Sequence, residues 1–355
     1  MGYVIRQIRF NWRNCIFMKK KVLIVEDSIL MQRVIGDIIG TGDEFEICAY
    51  ARDVVEGWAK FNKLKPDLVT LDFELPGEDG LVLLRKIMDS NPVPVLMLSA
   101  HTKEGAELTI KSLTMGAVDF FTKPSGPISI DIYQYKDVLI SKLKAIVNAK
   151  LPEIRERKIL KSAARECKYY LGIVASTGGV RALNYLIPSL PEKSGIRAIV
   201  VQHMPKYFTA TLAAHLNERS SFVVKEARDQ DQVLPGQVLI APGGYHIKVD
   251  QTGDKVLLSD DPPRHGVKPA ADILFESMAV VLKDKAIGVV LTGMGHDGAE
   301  GIRKIKEHGG LAIVQNPHEA TIGSMPQAAV DRGMVDYILP LQLIPEKIAE
   351  LIEHE

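Results

Sequence analysis

Three acidic residues and a lysine stand at the ends of apolar stretches in the first third of this chain. Glu26 and Asp27 close KVLIVED, Asp72 closes DLVTLD, and Lys123 follows DFFT. If these stretches are parallel strands, their ends share the sheet edge at which doubly wound folds bind ligands. Clustered carboxylates repel one another unless a hard cation such as Mg²⁺ compensates them. We therefore predict an Mg²⁺ site with Asp72 as phosphoryl acceptor, where Lys123 and the Ser99 hydroxyl hold the phosphoryl oxygens.

A serine, a histidine and an aspartate occupy similar positions in the second half. Ser176 follows LGIVA, His203 follows RAIVVQ and Asp297 follows IGVVLTGMG. At one edge of one sheet these three could act as nucleophile, general base and orienting acid. His296, beside Asp297, is a weaker rival for the base because neighbours on a loop usually point apart.

Three glycines surround Asp297 and let the backbone turn tightly there. They are Gly293, Gly295 and Gly298. Such a turn can aim amide groups at an oxyanion, and the Met294 amide is the preferred donor. No HExxH or comparable ligand set is present in the sequence, so no metal is expected in the catalytic half.

The turn after LGIVA could also be a simple helix cap, whereas its residues exclude two other kinds of site. Taken alone, Ser-Thr-Gly-Gly is more often a helix cap than a nucleophile turn. A dinucleotide loop is excluded because GxGxxG is absent. An α/β-hydrolase elbow is excluded because Val174 stands at the first glycine position of GxSxG.

The surrounding sequence predicts an α/β protein. Apolar Val/Ile/Leu runs alternate with amphipathic helical patterns, which is typical of parallel sheets covered on both faces. We predict a five-stranded parallel (βα)5 unit, then a doubly wound, mostly parallel α/β unit with an inserted β-hairpin at YHIKVDQTGDKVLLS. The predicted division is an N-terminal extension (1–20), a first domain (21–138), a basic linker (139–165) and a second domain (166–355).

Composition restricts the class of protein. The 355 residues include 44 Lys plus Arg and 44 Asp plus Glu, so the net charge is zero. Without the cationic first 21 residues the net charge is about −6, which argues against nucleic-acid binding. Three scattered cysteines build neither a disulfide framework nor a zinc site, and no apolar run is long enough for a membrane span. A cytoplasmic protein is expected, with residues 1–17 an extension before a start at Met18.

The first half resembles the receiver domain of two-component response regulators. The resemblance rests on VEDS, LDFELPGEDG, LSA and FFTKP in this order. It implies that Asp72 is phosphorylated, that Glu26 and Asp27 help to bind the metal, and that Ser99, Phe120 and Lys123 sense the phosphoryl group. Leu75 replaces the methionine that often precedes the proline, a volume-conserving change.

The second half resembles the catalytic domain of chemotaxis protein-glutamate methylesterases. The matching motifs are ASTGG, VVQHMP, LIAPGGYHIKV, KPAADILFES, GVVLTGMGHDGAEGI and SMPQAAV. The resemblance implies that Ser176 is the nucleophile, His203 the base and Asp297 the orienting acid, with Thr177 and Met294 near the oxyanion. KPAAD departs from an expected Arg-Pro-Ser-Val-Asp, which affects substrate contacts rather than the triad.

Together the two resemblances imply a phosphorylation-activated serine esterase. It would remove methyl esters from glutamates on chemoreceptor signalling helices, release methanol, deamidate receptor glutamines and receive its phosphoryl group from a chemotaxis histidine kinase. The first domain is expected to inhibit the second, with the strand-end edges of the two sheets covering one another. The alternative is a non-enzymatic response regulator whose second half binds DNA or a protein.

Overall fold

The first sheet is parallel and has helices on both faces. The computed structural model describes residues 19–123, 130–151, 168–192 and 195–353. The strands are β1 (Lys20–Val25), β2 (Phe45–Ala51), β3 (Leu68–Asp72), β4 (Val95–Ala100) and β5 (Asp119–Lys123). The helices are α1 (Ile29–Ile39), α2 (Val54–Leu64), α3 (Gly80–Ser90), α4 (Lys103–Met115) and α5 (Lys136–Ile146). The strand order β2-β1-β3-β4-β5 confirms the predicted five-stranded parallel unit.

The second half contains nine strands in the described residues. They are β6 (Tyr170–Ala175), β7 (Arg197–Gln202), β8 (Val223–Glu226), β9 (Gln237–Ile240), β10 (His246–Val249), β11 (Val256–Ser259), β12 (Ala286–Val290), β13 (Leu311–Gln315) and β14 (Tyr337–Leu339). Seven form a parallel sheet in the order β14-β13-β12-β6-β7-β9-β8. Strands β10 and β11 form the predicted antiparallel hairpin, which is a separate two-stranded sheet.

Six helices cover the seven-stranded sheet and the hairpin. They are α6 (Gly179–Ser189), α7 (Phe208–Asn217), α8 (Ala271–Leu282), α9 (Ala299–Glu307), α10 (Ser324–Asp331) and α11 (Ile344–Glu353). In the described ranges, no helix combines the length and the apolar character that a membrane crossing needs.

Short polar side chains determine where the helices of the first half begin. Ser28, Asp53, Asp79 and Thr102 each accept a hydrogen bond from a main-chain amide in the first turn that follows. Such N-caps satisfy amides that have no partner inside the helix. These caps are local signals in the sequence.

The strands are buried because both faces of each sheet are covered. Residues 22–25 of β1 and 286–290 of β12 are all buried. One continuous cluster of apolar side chains includes residues from both halves, among them Phe120 and Phe208. The two units therefore pack against each other through apolar side chains.

The limits drawn between the domains stay predictions. Helix α5 lies across the predicted limit at residue 138, and its Leu139, Leu143 and Ile146 are buried in the core of the first unit. Most of the predicted extension, and the linker residues 152–165, lie outside the described residues.

Candidate functional site

The acidic residues predicted at the edge of the first sheet lie together. Carboxylate oxygens of Glu26, Asp27 and Asp72 lie within 4.8 Å of one another. Lys123, the last residue of β5, places its Nζ 2.9 Å from Glu26 Oε2 and 2.6 Å from Asp72 Oδ2. The Glu26, Asp72 and Lys123 side chains are all buried.

The electrostatics of this acidic pocket fit a divalent cation. Burial and the charge of Asp72 together raise the pKa of Glu26 to about 8, although the Lys123 ammonium opposes the shift. Burial by itself would lower the pKa of Lys123, but the charges of Asp72 and Glu26 hold it above the ordinary value. A single ammonium thus only partly compensates three clustered carboxylates, and an all-oxygen donor set is the kind that Mg²⁺ prefers.

Ser99 of β4 and Phe120 of β5 contact neighbouring helices. The Ser99 hydroxyl donates to the Gly105 carbonyl (3.2 Å) and accepts a hydrogen bond from Thr109 Oγ1 (2.8 Å), so it is held by α4. The Phe120 ring stacks on Phe208 of α7, with centroids 4.8 Å apart and an interplanar angle of 12°. The structure therefore joins four of the six predicted receiver residues directly, and it connects the other two to neighbouring helices.

The predicted nucleophile lies on a constrained turn between β6 and α6. The Ser176 amide donates to the Thr292 carbonyl (3.0 Å), and the Ser176 carbonyl accepts from the Gly179 amide (2.7 Å). Gly178 has a φ of +77°, a conformation that side chains other than glycine rarely adopt. A Cβ on Gly293 would lie 2.8 Å from Ser176 Cβ, so only glycine fits behind the serine.

The predicted base and orienting acid are in contact. His203 Nε2 lies 2.8 Å from Asp297 Oδ2, and both side chains are largely buried. Asp297 also accepts hydrogen bonds from the amides of Ala271 (2.6 Å) and Asp272 (3.1 Å). Burial would raise the pKa of Asp297, but the His203 contacts and the two amides hold it below the ordinary value. The carboxylate is therefore ionised and fixed. His203 and Ser176 line the same cleft, although no hydrogen bond joins their side chains in this arrangement.

Two amides near Ser176 are available to an oxyanion. Among the described residues, no acceptor lies within hydrogen-bond distance of the amides of Thr177 and Met294. The neighbouring Gly293 amide, by contrast, donates to the Ile322 carbonyl (3.0 Å). His296, the rival base, is exposed and contacts His265 instead of the cleft.

The first unit covers this cleft. Thr177 Oγ1 donates to Asp119 Oδ2 (2.6 Å), and the Gly178 amide donates to the Val118 carbonyl (3.2 Å). Lys142 Nζ holds the same Asp119 oxygen at 2.6 Å. The space left between the units is about 10 Å³, room for about one water molecule. A protein side chain cannot enter the cleft in this arrangement.

The units do not meet as the sequence led us to expect. The expectation was that the strand-end edges of the two sheets would cover one another. Instead, the turn after β6 meets the beginning of β5 and the end of α4, at Leu113, Ala117, Val118 and Asp119. The expected geometry was wrong because strand ends locate each site within its own sheet and carry no information about the surface on which the sheets dock.

Sequence reasoning missed two residues at the cleft. Asp119 reaches Thr177 from β5, and its only sequence signal was an acidic residue beginning an apolar stretch. Gln202 is buried and donates from Nε2 to the Ser176 carbonyl (3.0 Å), while its Oε1 has no partner among the described residues. Its place directly before His203 was the available signal.

Two family models match the sequence in succession. Residues 22–131 match the model described as "Response regulator receiver domain", and residues 171–348 match the model described as "CheB methylesterase". Together they include every residue of the acidic pocket and of the Ser176 cleft.

Relatives match along nearly the whole chain. A protein-glutamate methylesterase/protein-glutamine glutaminase of Pyrococcus abyssi is 44% identical over 346 residues, 94% of each chain. A protein of Geobacillus kaustophilus with the same name is 43% identical over 343 residues, 94% of this chain and 98% of that one. The crystal structure of the Thermotoga maritima CheB methylesterase catalytic domain is 40% identical, covers 52% of this chain and 98% of that chain, and has a TM-score of 0.50.

Proposed function

Because this chain belongs to the CheB methylesterase family, we propose that it hydrolyses glutamate methyl esters on chemoreceptors and releases methanol. The substrates are the signalling helices of these receptors, and glutamine side chains on the same helices are deamidated by the same attack. The observation that carries the proposal is the fixed His203–Asp297 pair, 2.8 Å apart, in a cleft that Ser176 also lines.

The proposed reaction uses an acyl-enzyme. Ser176 Oγ attacks the γ-carbonyl of the ester, His203 takes the serine proton and gives it to the departing methoxide, and methanol leaves. Asp297 holds the imidazole in one orientation and stabilises its protonated form. Water then attacks the acyl-enzyme with His203 again acting as base, which restores the serine and frees the glutamate.

The tetrahedral intermediate requires donors for its oxyanion. The amides of Thr177 and Met294 are the proposed donors, since neither has another acceptor among the described residues. Donors that are already in place need no reorganisation when charge develops on the carbonyl oxygen. The buried amide group of Gln202 positions the serine by holding its carbonyl.

The first unit is proposed to act as a phosphorylation switch. Asp72 accepts the phosphoryl group from a histidine kinase of the chemotaxis system, and Lys123 and Ser99 bind its oxygens. Glu26, Asp27 and Asp72 would hold Mg²⁺, which when bound neutralises charge on the transferring phosphoryl group.

Phosphorylation is proposed to open the cleft. Ser99 would leave its hydrogen bonds with α4 for the phosphoryl group, and Phe120 would lose its stacking on Phe208. Phe120 directly follows Asp119 in β5, and Ser99 pairs with Thr122 of the same strand, so both lie on or beside the strand that carries the covering contact of Asp119. A ligand shifts such an equilibrium only through contacts that differ between the two states, and both residues make such contacts.

Methanol release from methylated receptor tests the proposal. The phosphorylated wild-type chain should release methanol, and Ser176→Ala should reduce the rate by about 10³-fold or more because triad residues act as a unit. Asp297→Asn should reduce it by a smaller factor than Ser176→Ala, because the nucleophile and the base both remain. Ser259→Ala, on the hairpin strand β11, is the matched control and should keep the wild-type rate.

A fluorophosphonate probe separates the esterase from a non-enzymatic regulator. Labelling should map to Ser176 and increase when the chain is phosphorylated. If the phosphorylated chain releases no methanol and Ser176 is not labelled, the proposed activity is wrong.

A further inference from the structure

A cluster of two histidines and an aspartate lies near the cleft, and the proposed reaction does not use it. His296 Nε2 is 3.2 Å from His265 Nδ1, and His265 Nε2 is 2.9 Å from Asp272 Oδ2. Both histidines are exposed, whereas Asp272 is buried. The three side chains form a row that runs from the protein interior to solvent.

The spacing of the two outer nitrogens is that of two ligands on one metal ion. Zinc binds histidine nitrogens at about 2.0–2.1 Å in tetrahedral geometry, which places two such nitrogens about 3.3 Å apart. The rings of His265 and His296 meet edge to face, with centroids 4.6 Å apart and an interplanar angle of 68°. The two rings are therefore inclined to each other and do not stack.

Asp272 prepares His265 to act as a ligand. Metal-binding histidines usually donate their second ring N–H to a carboxylate, which fixes the tautomer and the ring orientation. Here Asp272 Oδ2 is placed to accept a hydrogen bond from Nε2–H, and in that tautomer the lone pair of His265 lies on the outward Nδ1. The Gly301 amide holds Asp272 Oδ1 at 2.7 Å, and this contact fixes the carboxylate in turn.

A metal ion could also be placed deeper in the protein, among buried carboxylates, but that position fits the contacts less well. Ligand atoms of His265, Asp272 and Asp297 lie within 4.8 Å of one another. However, Asp297 is committed to His203 and to two main-chain amides. Within the part of the chain that the structure describes, the two outward nitrogens are hydrogen-bonded only to each other, and a bound ion would replace that hydrogen bond.

We propose that His265 Nδ1 and His296 Nε2 bind a zinc-like divalent transition-metal ion, with water in the remaining positions. Imidazole nitrogens favour Zn²⁺, Ni²⁺, Cu²⁺ and Co²⁺ over the Mg²⁺ expected in the acidic pocket. The ion joins the turn at His265 to the loop that carries Met294 and Asp297. Binding therefore stabilises the loop that forms one wall of the cleft.

Titration of the full chain with Co²⁺ and with Zn²⁺, in excess Mg²⁺ to fill the acidic pocket, tests the site. The wild-type chain should bind one equivalent, show the visible absorption of Co²⁺ bound to nitrogen and gain thermal stability with Zn²⁺. His265→Gln and His296→Gln should each weaken binding at least tenfold. His308→Gln, at the exposed end of α9, is the control and should bind as the wild type does.

Asp272→Asn should weaken binding by about 10- to 100-fold, the effect expected of a carboxylate that supports a ligand. Thermal unfolding without metal shows whether each variant is folded. Unchanged affinity in both histidine variants would overturn the proposal. Loss of binding in His265→Gln alone, with His296→Gln unaffected, would also overturn it and would place the ion at the inner carboxylates.

Discussion

The acidic pocket shows how single side chains set the chemistry available to the first unit. The ammonium of Lys123 lies within 3 Å of two carboxylates, and the pKa of Glu26 is still raised to about 8 by burial and by Asp72. Glu26 is therefore mostly protonated at neutral pH, and a divalent cation that binds all three carboxylates displaces this proton. A phosphoryl group on Asp72 would take over the Asp72 contact of Lys123.

Asp72→Asn should abolish Mg²⁺-dependent phosphorylation by a small phosphodonor, because an amide cannot form the acyl phosphate. Intact mass spectrometry after incubation with the donor measures the incorporated phosphoryl group. The matched control is Asp89→Asn, at an exposed position, and this variant should be phosphorylated like the wild type. Phosphate that still appears in Asp72→Asn and maps to another side chain would contradict the assignment.

Gly293→Ala tests the close packing behind the proposed nucleophile. The new methyl group would lie 2.8 Å from Ser176 Cβ and 2.7 Å from Met325 Cε, so the serine, the methionine or both must shift. We expect methanol release to fall by about 10²-fold, since a displacement of about 1 Å has this effect on a positioned group. The control is Gly42→Ala, whose methyl group meets nothing within 4 Å. A wild-type rate in Gly293→Ala would show that the serine has room to adjust.

At the scale of elements, strand β5 connects the two proposed sites. Its last residue, Lys123, lies in the acidic pocket, and its first residue, Asp119, contacts Thr177 beside the nucleophile. The strand rises about 3.3 Å per residue, so the two contacts are roughly 13 Å apart. Between them Phe120 stacks on α7. A small shift of this strand would therefore change the contacts of Lys123 and of Asp119 at the same time.

Asp119→Ala should raise methanol release in the absence of phosphodonor. The lost hydrogen bond joins Thr177 to a carboxylate, and such charged bonds contribute about 1.5–3 kcal/mol, a roughly ten- to hundredfold shift towards the open arrangement. The measured rate should rise several-fold, and phosphorylation should add less to it than in the wild type. The control is Asp89→Ala in α3. If Asp119→Ala is as slow as the unphosphorylated wild type, this contact does not keep the cleft closed.

At the scale of the whole molecule, the two units share one continuous cluster of apolar side chains and cover the cleft between them. The chain leaving α5 also contacts the second unit, since the Lys150 amide donates to the Thr321 carbonyl (3.2 Å). The neighbouring Ile322 carbonyl accepts from Gly293. The first unit is thus in contact with two of the segments that shape the cleft.

Removal of residues 1–151 should raise methanol release above that of the unphosphorylated full chain. The reason is that the truncated chain lacks Val118 and Asp119, which occupy the cleft. The assay compares both chains with and without phosphodonor on the same methylated receptor. The donor should accelerate only the full chain. A truncated chain that is folded by circular dichroism and no faster would reject inhibition by the first unit.

The sequence by itself determined the alternation of strands and helices and the residues that stand at strand ends. Apolar runs and N-cap residues are local features, and a parallel sheet brings the ends of its strands to one edge. From these features we predicted the acidic pocket and the closeness of His203 and Asp297. The sequence carries little such signal for β8, whose four residues, VVKE, are too few to show periodicity.

Only the tertiary structure decided which surfaces meet. Asp119 and Thr177 are 58 residues apart, and His265 and His296 are 31 apart, so no local pattern records either contact. The strand order within each sheet and the docking of β5 on the nucleophile turn likewise follow from packing of the whole chain. Side-chain direction depends on that packing, and the sequence therefore indicated which residues could react but not which residues cover them.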